Sequence, residues 1–121
     1  KEVKYHLRHS TNWLIRLGDG TKESNTKAQE SLDNIWQFTA ELFEMDEIDT
    51  ELLNAGIAVD NKGLKLEWDE IVNSTLKKAK LKRPEDGYMA TGGKKGMHTE
   101  YLGFLLAEMQ FLQRAYPDAK W

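Results

Sequence analysis

Three histidines, His6, His9 and His98, are the side chains of this 121-residue chain best suited to bind a metal or move a proton. In helical bundles that hold paired metal ions, an imidazole is joined by a carboxylate three residues earlier. Positions i and i+3 share a helical face, so one helix offers an oxygen and a nitrogen ligand together. The residues three before these histidines are Val3, His6 and Lys95, none of them an acid. Glu2-Val3-Lys4-Tyr5 carries a phenol where the imidazole would stand. Glu2, His6 and His9 fall at i, i+4 and i+7 on one face, but a closed metal site also needs a fourth ligand and an orienting outer shell. A histidine pair hydrogen-bonded beside a half-buried carboxylate is the competing account. The expectation is no metal ligand and no catalytic residue.

Gly92-Gly93-Lys94-Lys95-Gly96 carries a second chemistry. Free backbone N–H groups, two ammonium groups and a helix start nearby all favour an anion, which makes Lys94 and Lys95 candidate phosphate contacts. The stretch does not match Gly-x-x-x-x-Gly-Lys-Ser/Thr and no strand precedes it, so a helix-entry loop with solvated or partner-docked lysines competes with that reading. Ser10, Ser24, Ser31 and Ser74 lack a nucleophile-elbow context. There is no cysteine, which removes thiolate chemistry and disulfides and fits a cytoplasmic protein. A net charge of −3 gives no case for nucleic acid, and no apolar run is long enough to span a bilayer.

The elements that position these residues are helices. Hydrophobic residues at 40% and charged residues at 31% allow a modest core with a solvated face, as one all-α domain over 1–121. Val3, Leu7, Leu14 and Leu17 mark a first helix, already running at Lys1 without an N-cap, which predicts that it begins further upstream in a longer chain. This helix is expected to end at Gly18, with Asp19-Gly20 completing a tight turn that tolerates positive φ. Thr21 or Ser24 opens a second helix with the stripe Ala28, Leu32, Ile35, Thr39 and Leu42, running to about Met45. An acidic run from Glu41 to Glu51 follows, then a single helical turn over 51–55 stopped by Gly56. Leu64, Trp68, Ile71, Val72, Leu76 and Ala79 predict a third long helix over 64–81, ending in the basic cluster Lys77–Arg83 and stopped by Pro84. Residues 85–97 form a long glycine-rich loop, and loops of that length tend to be functional or docked. A last helix over 99–116 is apolar on most sides, with Leu105, Met109 and Leu112 expected inward and Phe104 or Phe111 left for another chain.

Thr91-Gly-Gly-Lys-Lys-Gly-Met-His-Thr-Glu-Tyr-Leu-Gly, Leu106-Ala-Glu-Met-Gln-Phe-Leu-Gln-Arg and Trp36-Gln-Phe-Thr-Ala-Glu-Leu-Phe followed by Asp46-Glu-Ile-Asp together resemble the C-terminal half of the PaaC family. The opening Lys1-Glu-Val-Lys-Tyr-His-Leu-Arg resembles the middle of that family's fourth core helix. The resemblance covers all 121 residues and implies the C-terminal half of a ferritin-like bundle, about four long helices plus a short turn. It further implies a structural, non-catalytic subunit of the multicomponent monooxygenase that epoxidises phenylacetyl-coenzyme A in phenylacetate catabolism. Its partners would be a catalytic ferritin-like oxygenase subunit, which carries the di-iron site, and other subunits including a reductase; no cofactor is expected on this chain. A ferritin-like metal-binding oxygenase subunit and a plain helical interaction module are the alternatives. In the family reading, Lys94 and Lys95 would meet a coenzyme A phosphate. Half a bundle would leave the first two apolar stripes exposed, so self-association, as a two-fold dimer, is expected.

Overall fold

The computed structural model describes residues 1–120, and among them every regular element is helical. The α-helices are α1 (Glu2–Gly18), α2 (Lys22–Trp36), α3 (Glu47–Asn54), α4 (Lys65–Lys78), α5 (Glu100–Met109) and α6 (Phe111–Ala115). Short 3-10 turns lie at Ala40–Phe43, Lys62–Leu64 and Gly93–Lys95. Two compact units arise, Lys1–Ala90 and Thr91–Trp121.

The first unit is organised by α1, α2 and α4, whose partly buried faces meet at Leu14, Ile15, Ala28, Leu32 and Val72 around a core of Leu76, Ala79 and Leu81. Gly18 is buried against Ala79, where an added Cβ would overlap the carbonyl oxygen and lie 2.9 Å from the Ala79 Cβ. Sequence reading ends the first helix at this glycine, as the structure does, while the turn at Asp19-Gly20 is made without positive φ. The missing side chain lets the ends of α1 and α4 touch.

The second helix opens as expected, with the Ser24 N–H donating to the Thr21 side chain at 3.1 Å. It stops nine residues before the expected Met45. Phe38 and Thr39 donate to Ile35 and Trp36 in tight i+3 bonds, and the Thr39 hydroxyl donates to the Trp36 carbonyl at 2.8 Å, so the chain leaves the α-helical ladder. Trp36, not Ile35, is the buried residue; Ile35 and Leu42 of the expected stripe are exposed.

The acidic run is structured in part. Asp46 and Asp49 form a reciprocal capping box, each side chain accepting the other's backbone N–H at 2.9 and 3.0 Å, and the expected single turn over 51–55 becomes the eight-residue α3. Its C-terminus is a Schellman motif with Gly56 at φ +70, closed by Gly56 N–H to Leu53 O and Ile57 N–H to Leu52 O, both 3.0 Å. The same motif ends α4, with Leu81 N–H to Leu76 O at 3.0 Å and Lys80 N–H to Lys77 O at 3.3 Å. There the left-handed position is occupied by Lys80, at φ +54. Burial of Leu76 and Leu81 supplies the apolar contact that accompanies such ends.

Beyond Lys80 the chain is irregular but tied down. Gln29 brackets Lys82, donating to its carbonyl at 2.9 Å and accepting its N–H at 2.8 Å. Asn25 donates to the carbonyls of Gly18 at 2.6 Å and Lys80 at 3.3 Å. Further along, the Ala90 N–H donates to the Gln37 carbonyl at 2.8 Å.

In the second unit, the expected helix over 99–116 is divided at Gln110 into α5 and α6. Leu105, Met109 and Leu112, expected inward, are exposed, as are Phe104 and Phe111. No helix among the described residues is long and apolar enough to cross a membrane.

Candidate functional site

Lys94 and Lys95 lie together on the 3-10 turn Gly93–Lys95, flanked by Gly92 at φ +98 and Gly96 at φ +84. The two left-handed glycines curl the backbone so that the N–H groups of Lys95 and Met97 donate to the Gly92 carbonyl at 2.9 and 3.0 Å, and that of Gly96 to Gly93 at 3.2 Å. Two amides of the sequence-predicted anion cradle, those of Lys95 and Gly96, are therefore engaged within the turn. The start of α5 is uncapped by the Thr99 side chain, and Glu100 stands in its first turn. Both lysine side chains of the loop are exposed.

Glu2, His6 and His9 remain on α1, but their neighbours are aromatic. His9 stacks on Tyr5 at 6.0 Å between ring centroids and meets Trp13 edge-on at 6.4 Å, while His6 meets the edge of Tyr5 at 6.1 Å. Among the described residues, no three of His, Cys, Asp and Glu gather as a metal-binding group would. The side chains here do not fit a di-iron centre, which needs carboxylate and imidazole ligands converging from several helices.

Sequence reasoning missed the pattern that these rings belong to. Tyr5, His9 and Trp13 fall at i, i+4 and i+8, and Arg8 and Arg16 follow Tyr5 and Trp13 by three residues. The Arg8 guanidinium lies over the Tyr5 ring at 5.5 Å and that of Arg16 over Trp13 at 5.6 Å. Together with Asn12 they line an open hollow on α1. The signal was the four-residue aromatic spacing, which an apolar-stripe reading treats as flanking residues.

A second cluster joins α2, α4 and the segment after α4. Trp36 and Trp68 lie 5.8 Å apart, with Phe43 edge-on to Trp68 at 5.4 Å. Arg83 covers Trp36 at 4.9 Å and Trp68 at 5.8 Å. Its guanidinium donates to Asp69 at 2.7 Å and Asn73 at 2.9 Å. Lys65 donates to the other Asp69 oxygen at 2.9 Å, and the Trp36 indole N–H donates to Asp86 at 3.0 Å. Hydrogen bonds from Lys65 and then Arg83 hold the Asp69 carboxyl below the ordinary carboxylate range, against a small opposing effect of burial. Lys65 and Arg83 share the Asp69 carboxylate, Asp86 is held by the Trp36 indole, and no nucleophile is present, so the cluster's chemistry is structural. Sequence reading placed Arg83 in a solvated basic helix end; Arg83 leaves that group for the indoles.

A family model described as phenylacetic acid catabolic protein matches residues 1–121. The chain is 50% identical over 121 residues to a protein of Escherichia coli (strain K12) named as one subunit of 1,2-phenylacetyl-CoA epoxidase, covering 100% of this chain and 49% of that protein. It thus spans about half the length of this curated relative.

Proposed function

The chain belongs to the phenylacetic acid catabolic protein family, and from that membership we propose that it serves as part of a structural subunit in a monooxygenase that epoxidises phenylacetyl-coenzyme A. The observation that carries the reading is half-identity, sustained along all 121 residues, to a protein whose name makes it a component of such an epoxidase. In this reading the chain supplies no catalytic group. The lack of a carboxylate three residues before any histidine, and the aromatic surroundings of His6 and His9, support that. The di-iron centre belongs to a catalytic ferritin-like partner, which this chain buttresses. Phe104 and Phe111, each 67% exposed on the second unit, are the anchors we assign to a partner contact. Lys94 and Lys95 would meet a coenzyme A phosphate as a pair of side-chain charges.

The test is co-purification of the full-length form with the oxygenase subunit, followed by epoxidation assays with and without it. Stable association and a loss of activity on omission are expected. Oxygenation by the full-length form unaided, or no association, would overturn the proposal. Charge reversal at Lys94 and Lys95 should weaken coenzyme A binding by the assembled enzyme about tenfold; unchanged affinity removes that contact.

A further inference from the structure

The ring ladder on α1 and the acidic α3 are complementary in charge. Helix α1 carries Lys4, Arg8 and Arg16 against the single carboxylate Glu2. Helix α3 carries three carboxylates and no cation. On α3, Glu47 and Glu51 stand one turn apart and exposed, next to Ile48 and Leu52, which are 67% and 38% exposed. Among the described residues, none of Arg8, Arg16, Glu47 and Glu51 has an ion-pair partner within the chain.

The ladder is prepared for carboxylates. A guanidinium that lies by its face on an aromatic ring keeps its N–H fork in the ring-parallel plane, directed past the edge of the ring, where a carboxylate can accept two hydrogen bonds. The Arg8 and Arg16 guanidinium carbons stand over the Tyr5 and Trp13 rings, 5.5 and 5.6 Å from their centroids. The two arginines are eight residues apart, about 12 Å along the helix, which is the length of the eight-residue α3. Glu47 and Glu51 are about 6 Å apart on their own axis, and the difference of about 3 Å at each end is within reach of arginine and glutamate side chains. Beside the Arg8–Asn12–Arg16 row, the His9 and Trp13 rings offer a surface for Ile48 and Leu52. We propose that α3 of a second copy of this chain seats on the α1 ladder, with Glu47 and Glu51 facing Arg8 and Arg16. Each copy offers both surfaces, so a reciprocal pair makes the contact twice. This pairing is independent of the epoxidase reading.

Charge exchange tests it. Light scattering of the chain at micromolar concentration should give twice the monomer mass of 14.0 kDa. R8E/R16E should weaken association at least tenfold, and E47R/E51R should do the same, because each places like charges across the contact. Circular dichroism checks that both variants stay helical. Mixing the two variants places opposite charges across both contacts, so a mixed dimer should form where neither variant pairs alone. A monomeric parent chain, a parent dimer indifferent to both reversals, or two helical variants that stay apart on mixing would each overturn the pairing.

Discussion

Lys80 occupies the left-handed region at φ +54, where a side chain other than glycine costs about 1 kcal/mol. Gly56 fills the equivalent place at the end of α3 without that cost. What Lys80 gains in return is an ion pair with Asp19 between two largely exposed groups, an arrangement worth little. Lys80→Gly should therefore stabilise the chain by roughly 0.5–1 kcal/mol, read as a rise in the thermal midpoint. Asp69 yields a pH prediction. Its folded-state carboxyl titrates below the ordinary range because Lys65 and Arg83 bind the ionised form. The stabilisation is complete above the unfolded value, about 3.9, and is lost as pH falls through the folded one. Asp69→Asn should accordingly destabilise the chain at neutral pH, with the difference shrinking below about pH 4 in chemical unfolding curves. A difference that grew on acidification would contradict the assigned cause. Neither residue was legible in the sequence: Lys80 looks like any lysine of a basic helix end, and Asp69 is defined by Arg83, fourteen residues away.

At the scale of elements, periodicity located α1, α4 and the start of α2, because each has a repeat near 3.6 that a core must satisfy. It failed where long-range contacts decide. The apolar pattern continues past Trp36, yet α2 stops there, with the indole fixed by Asp86, fifty residues on. The α1 ladder is present as spacing, but its rings fall outside the apolar stripe that marks the helix. The start of α3 was legible in principle, since Asp46 and Asp49 have cap spacing, but a dense acidic run hides a cap among solvated charges. Asp46→Ala should cost about 1 kcal/mol by leaving the first amides of α3 unsatisfied. Amide exchange over α3 should accelerate while that of α4 is unchanged.

At the scale of the whole molecule, the unit formed by residues 1–90 has a small sealed centre, Leu76, Ala79 and Leu81, and much exposed apolar surface elsewhere, including Val3, Leu7 and Leu17. The all-helical class was readable because it needs only the sum of local patterns. The surfaces that meet other molecules were not, because exposure is a property of the assembled chain. The expected inward face of the last helix shows this: Leu105 is 55% exposed in the second unit.

The irregular stretch from Lys82 to Ala90 has a mechanical consequence. Gln29, Trp36 and Gln37 grip it along the length of α2, and Arg83 clamps it to α4. Such a stretch acts as a splint rather than a tether. Under a broad-specificity protease the first cut should fall at Ile57–Val59, where Ile57 and Val59 stand in solvent, and not within residues 82–90. Gln29→Ala should remove one fastening and open the splint to digestion.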